Sequence, residues 1–272
     1  MEVPELEFLW SYVDHWGKED PEFPAVHYRG KTYTSQELAE ITDRLAKVFL
    51  NLGVEKGDRI VTILPSNPEY LFTFIAANKI GAITTPMDVR YRITDLRRFI
   101  PHVEPKVVVS MNTSGDNDIL ASLKELSREP EFTNIKYLMT EPADFGEPFY
   151  KLLEQDYPLE AELKEAKDNQ HLDEGALIIF TGGTTGIPKA ALLSHENVAL
   201  MCYLEEDFLT GTLTEHGVTG NIKSLAALPP SHVGGTVELI GTALVGKYEM
   251  YLLERWSPLE VLQTVQDKGI QF

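Results

Sequence analysis

The residues best placed to do chemistry lie in Thr181-Gly182-Gly183-Thr184-Thr185-Gly186-Ile187-Pro188-Lys189. Its glycines let backbone N–H groups approach an anion closely, its threonines add hydroxyl donors, and Lys189 adds a point charge, which together suit a polyphosphate. A P-loop needs glycine, four residues, then Gly-Lys-Ser/Thr. Here the lysine follows Pro188 and precedes Ala190, so spacing and context both reject that motif. The bland alternative, a glycine-rich turn that binds nothing, is weakened because glycine, threonine and lysine coincide in a loop leaving a strand.

Alternating strands and helices must position this loop. Ala176 to Phe180 reads as a short apolar strand entering it, and Ala190 to Leu193 as a second strand leaving it. Upstream, Thr34-Ser35-Gln36-Glu37 is a capping-box pattern, and Leu38, Ile41, Leu45, Val48 and Leu52 recur at helical spacing until Gly53. Arg59 to Leu64 is a β-branched strand ended by Pro65, and Asn67-Pro68-Glu69 opens another helix that Gly81 closes before the strand Ala82 to Thr85. The alternation continues through a helix opening at Thr94-Asp95, a strand at 106–110, a helix near 118–126 and a strand at 135–139. Beyond the loop come a helix over about 196–208, a strand at 224–228, a helix after Gly235, a strand at 248–252 and a helix capped by Ser257-Pro258. Strands separated by helices predict parallel sheets with helix-covered faces, an α/β fold. The polar stretch 140–173, with Pro142, Pro148 and Pro158, is the expected sub-boundary between a first sheet region, about 1–140, and a second, about 174–272. A glycine ends the last helix at Gly269 just as an apolar strand begins, which predicts a truncated chain.

A formal net charge of −18 leaves no basic footprint for nucleic acid or an anionic membrane. The acidic start, Met1 to Glu7, lacks the basic and apolar regions of a secretory signal, so a cytoplasmic protein is expected. The most apolar candidate for a membrane span, 70–83, is interrupted by Asn78 and Lys79. Cys202 is alone, which excludes an internal disulfide or a cysteine cluster, and its apolar helical context predicts core packing.

Gly183 through Lys189 resembles the phosphate loop of the adenylate-forming superfamily, the acyl-CoA synthetases, luciferases and peptide-synthetase adenylation domains, which reads Ser/Thr-Gly-Thr/Ser-Thr-Gly-x-Pro-Lys. This chain departs from the pattern at Gly182, where Ser or Thr is usual, and at Ala190, where Gly is usual. Leu52 to Ile60, Pro65 to Asn67 and Gly81 to Pro86 follow the family's early segments in order. Leu228 to Gly235 resembles the segment where the family sets a histidine beside the acyl and adenylate pocket. This marks His232 as a catalytic candidate with Lys189, and His232, Val233, Gly234 and Gly235 as pocket residues. Ser194-His195 resembles the end of the phosphate-loop region and is expected to fix the loop. Thr181, Gly182, Gly183, Thr184, Thr185, Gly186 and Lys189 are then the nucleotide-binding set, with metal ligands unassigned.

The resemblance implies layered sheets flanked by helices, with 1–272 an incomplete N-terminal large domain and no C-terminal domain. It implies an ATP- and magnesium-dependent ligase that activates a carboxylate, a fatty acid in the first reading, as an acyl-adenylate and transfers it to CoA. Amino-acid-activating members carry an aspartate just after the histidine, whereas 233–237 holds none and the first acid is Glu238. The family's aromatic-Gly-x-Thr-Glu and Thr-Gly-Asp segments are missing from the 272 residues, so the isolated chain is expected to be inactive or a weak nucleotide binder, and uncovered sheet edges to leave self-association open. Two alternatives stay open: another adenylate-forming ligase, acting on an aryl or other carboxylate, and a non-catalytic nucleotide- or partner-binding module.

Overall fold

The computed structural model describes residues 6–182 and 189–272. In chain order the elements begin with helix α1 (Leu9–Glu19), the hairpin β1 (Val26–Tyr28) and β2 (Lys31–Tyr33), helix α2 (Ser35–Asn51), strand β3 (Arg59–Ile63), helix α3 (Pro68–Lys79) and strand β4 (Ile83–Pro86). They continue with α4 (Ile93–Val103), β5 (Pro105–Ser110), the short pair β6 (Thr113–Ser114) and β7 (Asn117–Asp118), α5 (Ile119–Leu126), β8 (Lys136–Met139), β9 (Glu147–Pro148), α6 (Phe149–Leu153) and α7 (Glu160–Asp168). The remainder is β10 (Gly175–Thr181), β11 (Lys189–Ser194), α8 (His195–Glu215), β12 (Lys223–Ala226), a π-helical stretch Gly234–Gly241 running into α9 (Thr242–Val245), β13 (Glu249–Leu252) and α10 (Pro258–Lys268).

Helix starts follow their caps. Thr34 and Glu37 close the capping box on α2, Asn67 accepts from the Tyr70 N–H with Pro68 in the first turn of α3, and Ser257 caps α10. Helix α1 has no side-chain cap hydrogen bond at Phe8, and neither it nor the β1–β2 hairpin was expected.

Seven strands form the larger sheet in the order β11-β10-β4-β3-β5-β8-β9, parallel except for the antiparallel β10–β11 pair. Alternate residues enter opposite cores: Ile60, Val107, Val109, Leu177 and Ile179 face one cluster, and Val61, Val108 and Ile178 the other. Helix α3 is buried at every residue but Glu69 and fills the first of these cores, apolar enough on all sides to sit inside rather than on the surface.

The smaller sheet has the order β12-β13-β1-β2, with β1 parallel to β13 and antiparallel to β2. This corrects the expected sheet division at 140–173. Strands β10 and β11, beyond that stretch, complete the larger sheet, and β1 and β2, far before it, complete the smaller one. Backbone pairing joins segments distant in sequence, and a polar connector does not dictate which strands pair across it.

Lys79, at the end of α3, is wholly buried and ties the first core's helices together. Its ammonium lies 2.7 Å from Asp14 and 2.6 Å from Asp43, and Lys167 reaches the same two carboxylates at 2.7 and 2.9 Å. Burial pulls the Lys79 ammonium below the ordinary lysine value against the pull of Asp43 and Asp14. Burial also works to raise the Asp43 carboxyl, but Lys79 and Lys167 outweigh it and hold Asp43 below the usual carboxylate range.

Candidate active site

Strand β10 runs parallel to β4 through Leu177 and Thr84, so its carboxyl end at Thr181 leaves the sheet on the same edge as the carboxyl ends of β3 and β4. Thr181 pairs with Lys189 across the hairpin, and its hydroxyl donates to the Lys189 carbonyl at 3.4 Å. Thr181, Gly182 and Lys189 are all exposed, and among the described residues a Cβ at Gly182 would meet nothing within 4 Å. Gly183, Thr184, Thr185, Gly186, Ile187 and Pro188 lie outside the described residues.

A cavity of about 380 Å³ opens at this edge. Its floor is Leu64 and Pro65 after β3, one side is Met87 to Arg90 after β4, and the facing wall is Pro229 to Ser231, beyond β12 of the other sheet. A larger space of about 770 Å³ adjoins it, sharing Glu254 and Arg255 and extending between the β1–β2 hairpin and α10. Carboxyl ends of parallel strands are where open α/β sheets hold ligands, because the loops that follow them can vary without disturbing the sheet.

Within the cavity Asp88, 8% exposed, accepts from the Arg90 guanidinium at 2.8 and 2.6 Å and from the Arg90 N–H at 2.9 Å. Burial favours the neutral Asp88 acid, but the Arg90 hydrogen bonds and charge, with a smaller contribution from His232, hold its carboxyl below the usual range. Asp88 and Arg90 line this cavity but belong to no spacing pattern that would have singled them out in the sequence.

His232 and Val233 are exposed on the turn before the π-helical stretch, where the His232 N–H donates to the Pro229 carbonyl at 3.1 Å. Gly234 and Gly235, expected as pocket residues, both press on neighbouring protein atoms. A Cβ at Gly235 would lie 2.2 Å from the Pro229 carbonyl oxygen and 2.6 Å from its carbon, so the glycine is required by backbone approach rather than by an open pocket. At Gly234 the nearest atom is Leu228 Cδ1 at 3.1 Å, again protein rather than free space.

Ser194 caps α8, accepting from the Asn197 N–H at 3.1 Å, and its neighbour His195 is 3% exposed with Phe8 edge-on at 5.0 Å. Burial pushes the His195 imidazole down to about 4, opposed weakly by Glu174, so it is neutral at pH 7. A neutral, enclosed ring beneath the hairpin has the geometry of packing. Cys202 is likewise buried, its thiol raised by burial, and it approaches the Val237 carbonyl at 3.4 Å.

The family described as AMP-binding enzyme matches residues 13–272. This chain belongs to that family. Among its relatives are a feruloyl-CoA synthase from Amycolatopsis sp, 24% identical over 96% of this chain and 47% of that protein, and the human mitochondrial acyl-coenzyme A synthetase ACSM2B, 26% identical over 99% and 46%. A long-chain-fatty-acid–CoA ligase of Bacillus subtilis is 23% identical over 90% and 46%. Among solved structures, apo MbtA from Mycobacterium smegmatis superposes with a TM-score of 0.81 at 20% identity, covering 98% of this chain and 47% of that one. The N-terminal domain of FACL13 from Mycobacterium tuberculosis gives 0.77 at 17% identity, covering 97% and 62%. The chain thus has the fold of the N-terminal domain of adenylate-forming CoA ligases and spans about half the length of the curated relatives it matches.

Proposed function

We propose that this chain is the front part of an AMP-forming acid–thiol ligase. In that reaction a carboxylate oxygen attacks the ATP α-phosphorus, the bond to the β-phosphate breaks, and pyrophosphate leaves. The CoA thiolate then attacks the acyl carbon, and AMP departs with its bonding electrons. The observation that carries the reading is the match to the AMP-binding family over 13–272, with Thr181 and Lys189 side by side where the phosphate-loop segment joins the sheet.

Lys189, with the N–H groups of the loop and the Thr181 hydroxyl once it turns from the Lys189 carbonyl, would stabilise negative charge developing on the departing pyrophosphate. Magnesium would arrive on the nucleotide and supply further charge neutralisation. Among the described residues no group of three His, Cys, Asp or Glu side chains is placed to hold a metal.

The substrate reading is a carboxylate without an α-ammonium group, a fatty acid first. Thr236 stands among the residues after His232 where an aspartate would be needed, and its hydroxyl is already committed to the Pro230 carbonyl. A cytoplasmic location belongs to the same reading. No helix among the described residues is long and apolar enough to cross a membrane.

Calorimetric titration of the 272-residue chain with ATP and magnesium tests the nucleotide claim, with Lys189→Ala as control. Saturable binding that the variant loses supports it. An absence of binding by folded protein would remove nucleotide affinity from this chain, and an unchanged pyrophosphate-exchange rate for Lys189→Ala in a complete ligase would remove the role of the lysine. No acyl-CoA turnover is expected from the chain alone.

A further inference from the structure

The turn Leu228 to Ser231 forms the cavity wall and leads into His232, yet Pro229 and Pro230 have no N–H with which to fasten it. Its carbonyls are held from outside. The Leu228 carbonyl accepts from the Ser66 hydroxyl at 2.6 Å, the Pro229 carbonyl from the His232 N–H at 3.1 Å, and the Pro230 carbonyl from the Thr236 hydroxyl at 2.8 Å. The Thr236 oxygen lies 2.5 Å from the Tyr70 hydroxyl. Since Thr236 has one proton and gives it to Pro230, the Tyr70 hydroxyl is the donor to Thr236. Burial raises the Tyr70 phenol well above its ordinary value, so it keeps that proton.

We propose that Ser66, Tyr70 and Thr236 are positioning residues that latch the His232 turn to α3 and thereby set the width of the cavity. Tyr70 and Thr236 are wholly buried and Ser66 is 2% exposed, so none of them is presented to a ligand. They act through the turn. Ser66 follows the cavity floor, Leu64 and Pro65, directly in sequence, so its bond to Leu228 ties the floor supplied by one sheet to the wall supplied by the other. The Asn67 cap and the surrounding core hold the latch's other half, at the start of α3.

The π-helical stretch explains why a latch is needed. Its i→i+5 hydrogen bonding is rare and is mostly found as single-turn bulges inside α-helices. Rewinding would move His232 and Val233 relative to the cavity. Thr236 and Gly235, the latter pressed on the Pro229 backbone, hold the first turn in its observed register.

The inference rests on reading His232 as part of the site, but its test does not need ligase activity. Amide hydrogen exchange over 231–236 and the ring resonance of His232, assigned with His232→Gln, are measured in the 272-residue chain. Tyr70→Phe and Thr236→Val are expected to speed exchange in this segment about tenfold and to shift the His232 resonance, the size expected for one lost buried hydrogen bond. Thr236→Ser, which keeps the hydroxyl, is expected to restore both. Phe74→Leu, which loosens the core beside Tyr70 without touching the turn, separates positioning from general destabilisation. Wild-type exchange in Tyr70→Phe and Thr236→Val, or the same local change in Phe74→Leu, would overturn the latch. In a complete ligase the latch variants are expected to raise KM for the carboxylate several-fold and leave KM for ATP unchanged; equal changes in both would also overturn it. A failed ATP titration beside the expected exchange pattern would remove nucleotide affinity from this chain and still support the latch.

Discussion

Thr181 and Lys189 face each other across the β10–β11 pair, joined by the Thr181 hydroxyl and the Lys189 carbonyl at 3.4 Å. The loop therefore leaves and re-enters the sheet at one point, and the Lys189 side chain is exposed at that point without taking part in the core. Its replacement separates binding from folding. Lys189→Ala is expected to change unfolding free energy by less than about 0.5 kcal/mol, read by urea titration. A larger loss would mean that Lys189 supports the hairpin, and the calorimetric control would lose its meaning.

Gly235→Ala makes the opposite case. The new methyl would meet backbone atoms of Pro229 and Leu228 that cannot swing aside as a side chain can. Destabilisation of about 1–3 kcal/mol is expected, against a smaller effect for Gly234→Ala, where the contact is the end of the Leu228 side chain. If Gly235→Ala were neutral to stability and only narrowed the range of acids accepted, the glycine would be lining open space after all.

His195 predicts a pH window. Its folded value is about 4, below the 6.5 of a free imidazole, so between these values the unfolded chain binds the extra proton. The contribution is complete above about pH 6.5 and is lost as pH falls through 4, with a magnitude on the order of 3 kcal/mol. In His195→Phe the fall in stability between pH 6.5 and 4 should be shallower by that amount. Parallel profiles for the two proteins would show that His195 is not enclosed as described.

The Lys79 network predicts a second effect. Lys79→Met leaves Asp14 and Asp43 sharing only Lys167, and breaking a buried ion pair from one side costs roughly 3–5 kcal/mol, measurable by denaturant unfolding. The depressed carboxyl of Asp43 contributes stability that is present above the ordinary carboxylate value near 3.8 and lost as pH falls through its lower folded value. Asp43→Asn should therefore flatten the acid limb below about pH 4 and leave the His195 window intact. A change confined to pH 4–6.5 would contradict this assignment.

Much of the local structure was legible in the sequence because its causes are local. Thr34 with Glu37, Asn67 with Pro68, and Ser257 with Pro258 each lie within a few residues of the N–H groups they satisfy, and each helix starts where its cap stands. Helix α1, without a side-chain cap, escaped notice. The glycine and threonine loop stood out by composition alone, and Gly183 to Pro188 lie outside the described residues. Gly235 stood out in the sequence, but its contact with the Pro229 backbone did not, since a sequence shows that a Cβ is missing and not what occupies its place.

By itself the sequence determined the α/β alternation, the helix starts, the phosphate-loop composition and the resemblance to the adenylate-forming family. Tertiary structure alone decided which strands share a sheet, how Lys79 is neutralised and what holds the His232 turn. Ser66 and Leu228 are 162 positions apart, and Tyr70 and Thr236 are 166 apart. A hydroxyl imposes no periodicity on the chain around it, so which distant carbonyl or hydroxyl it meets is settled only when β3 and β12 bring their ends to the same cavity.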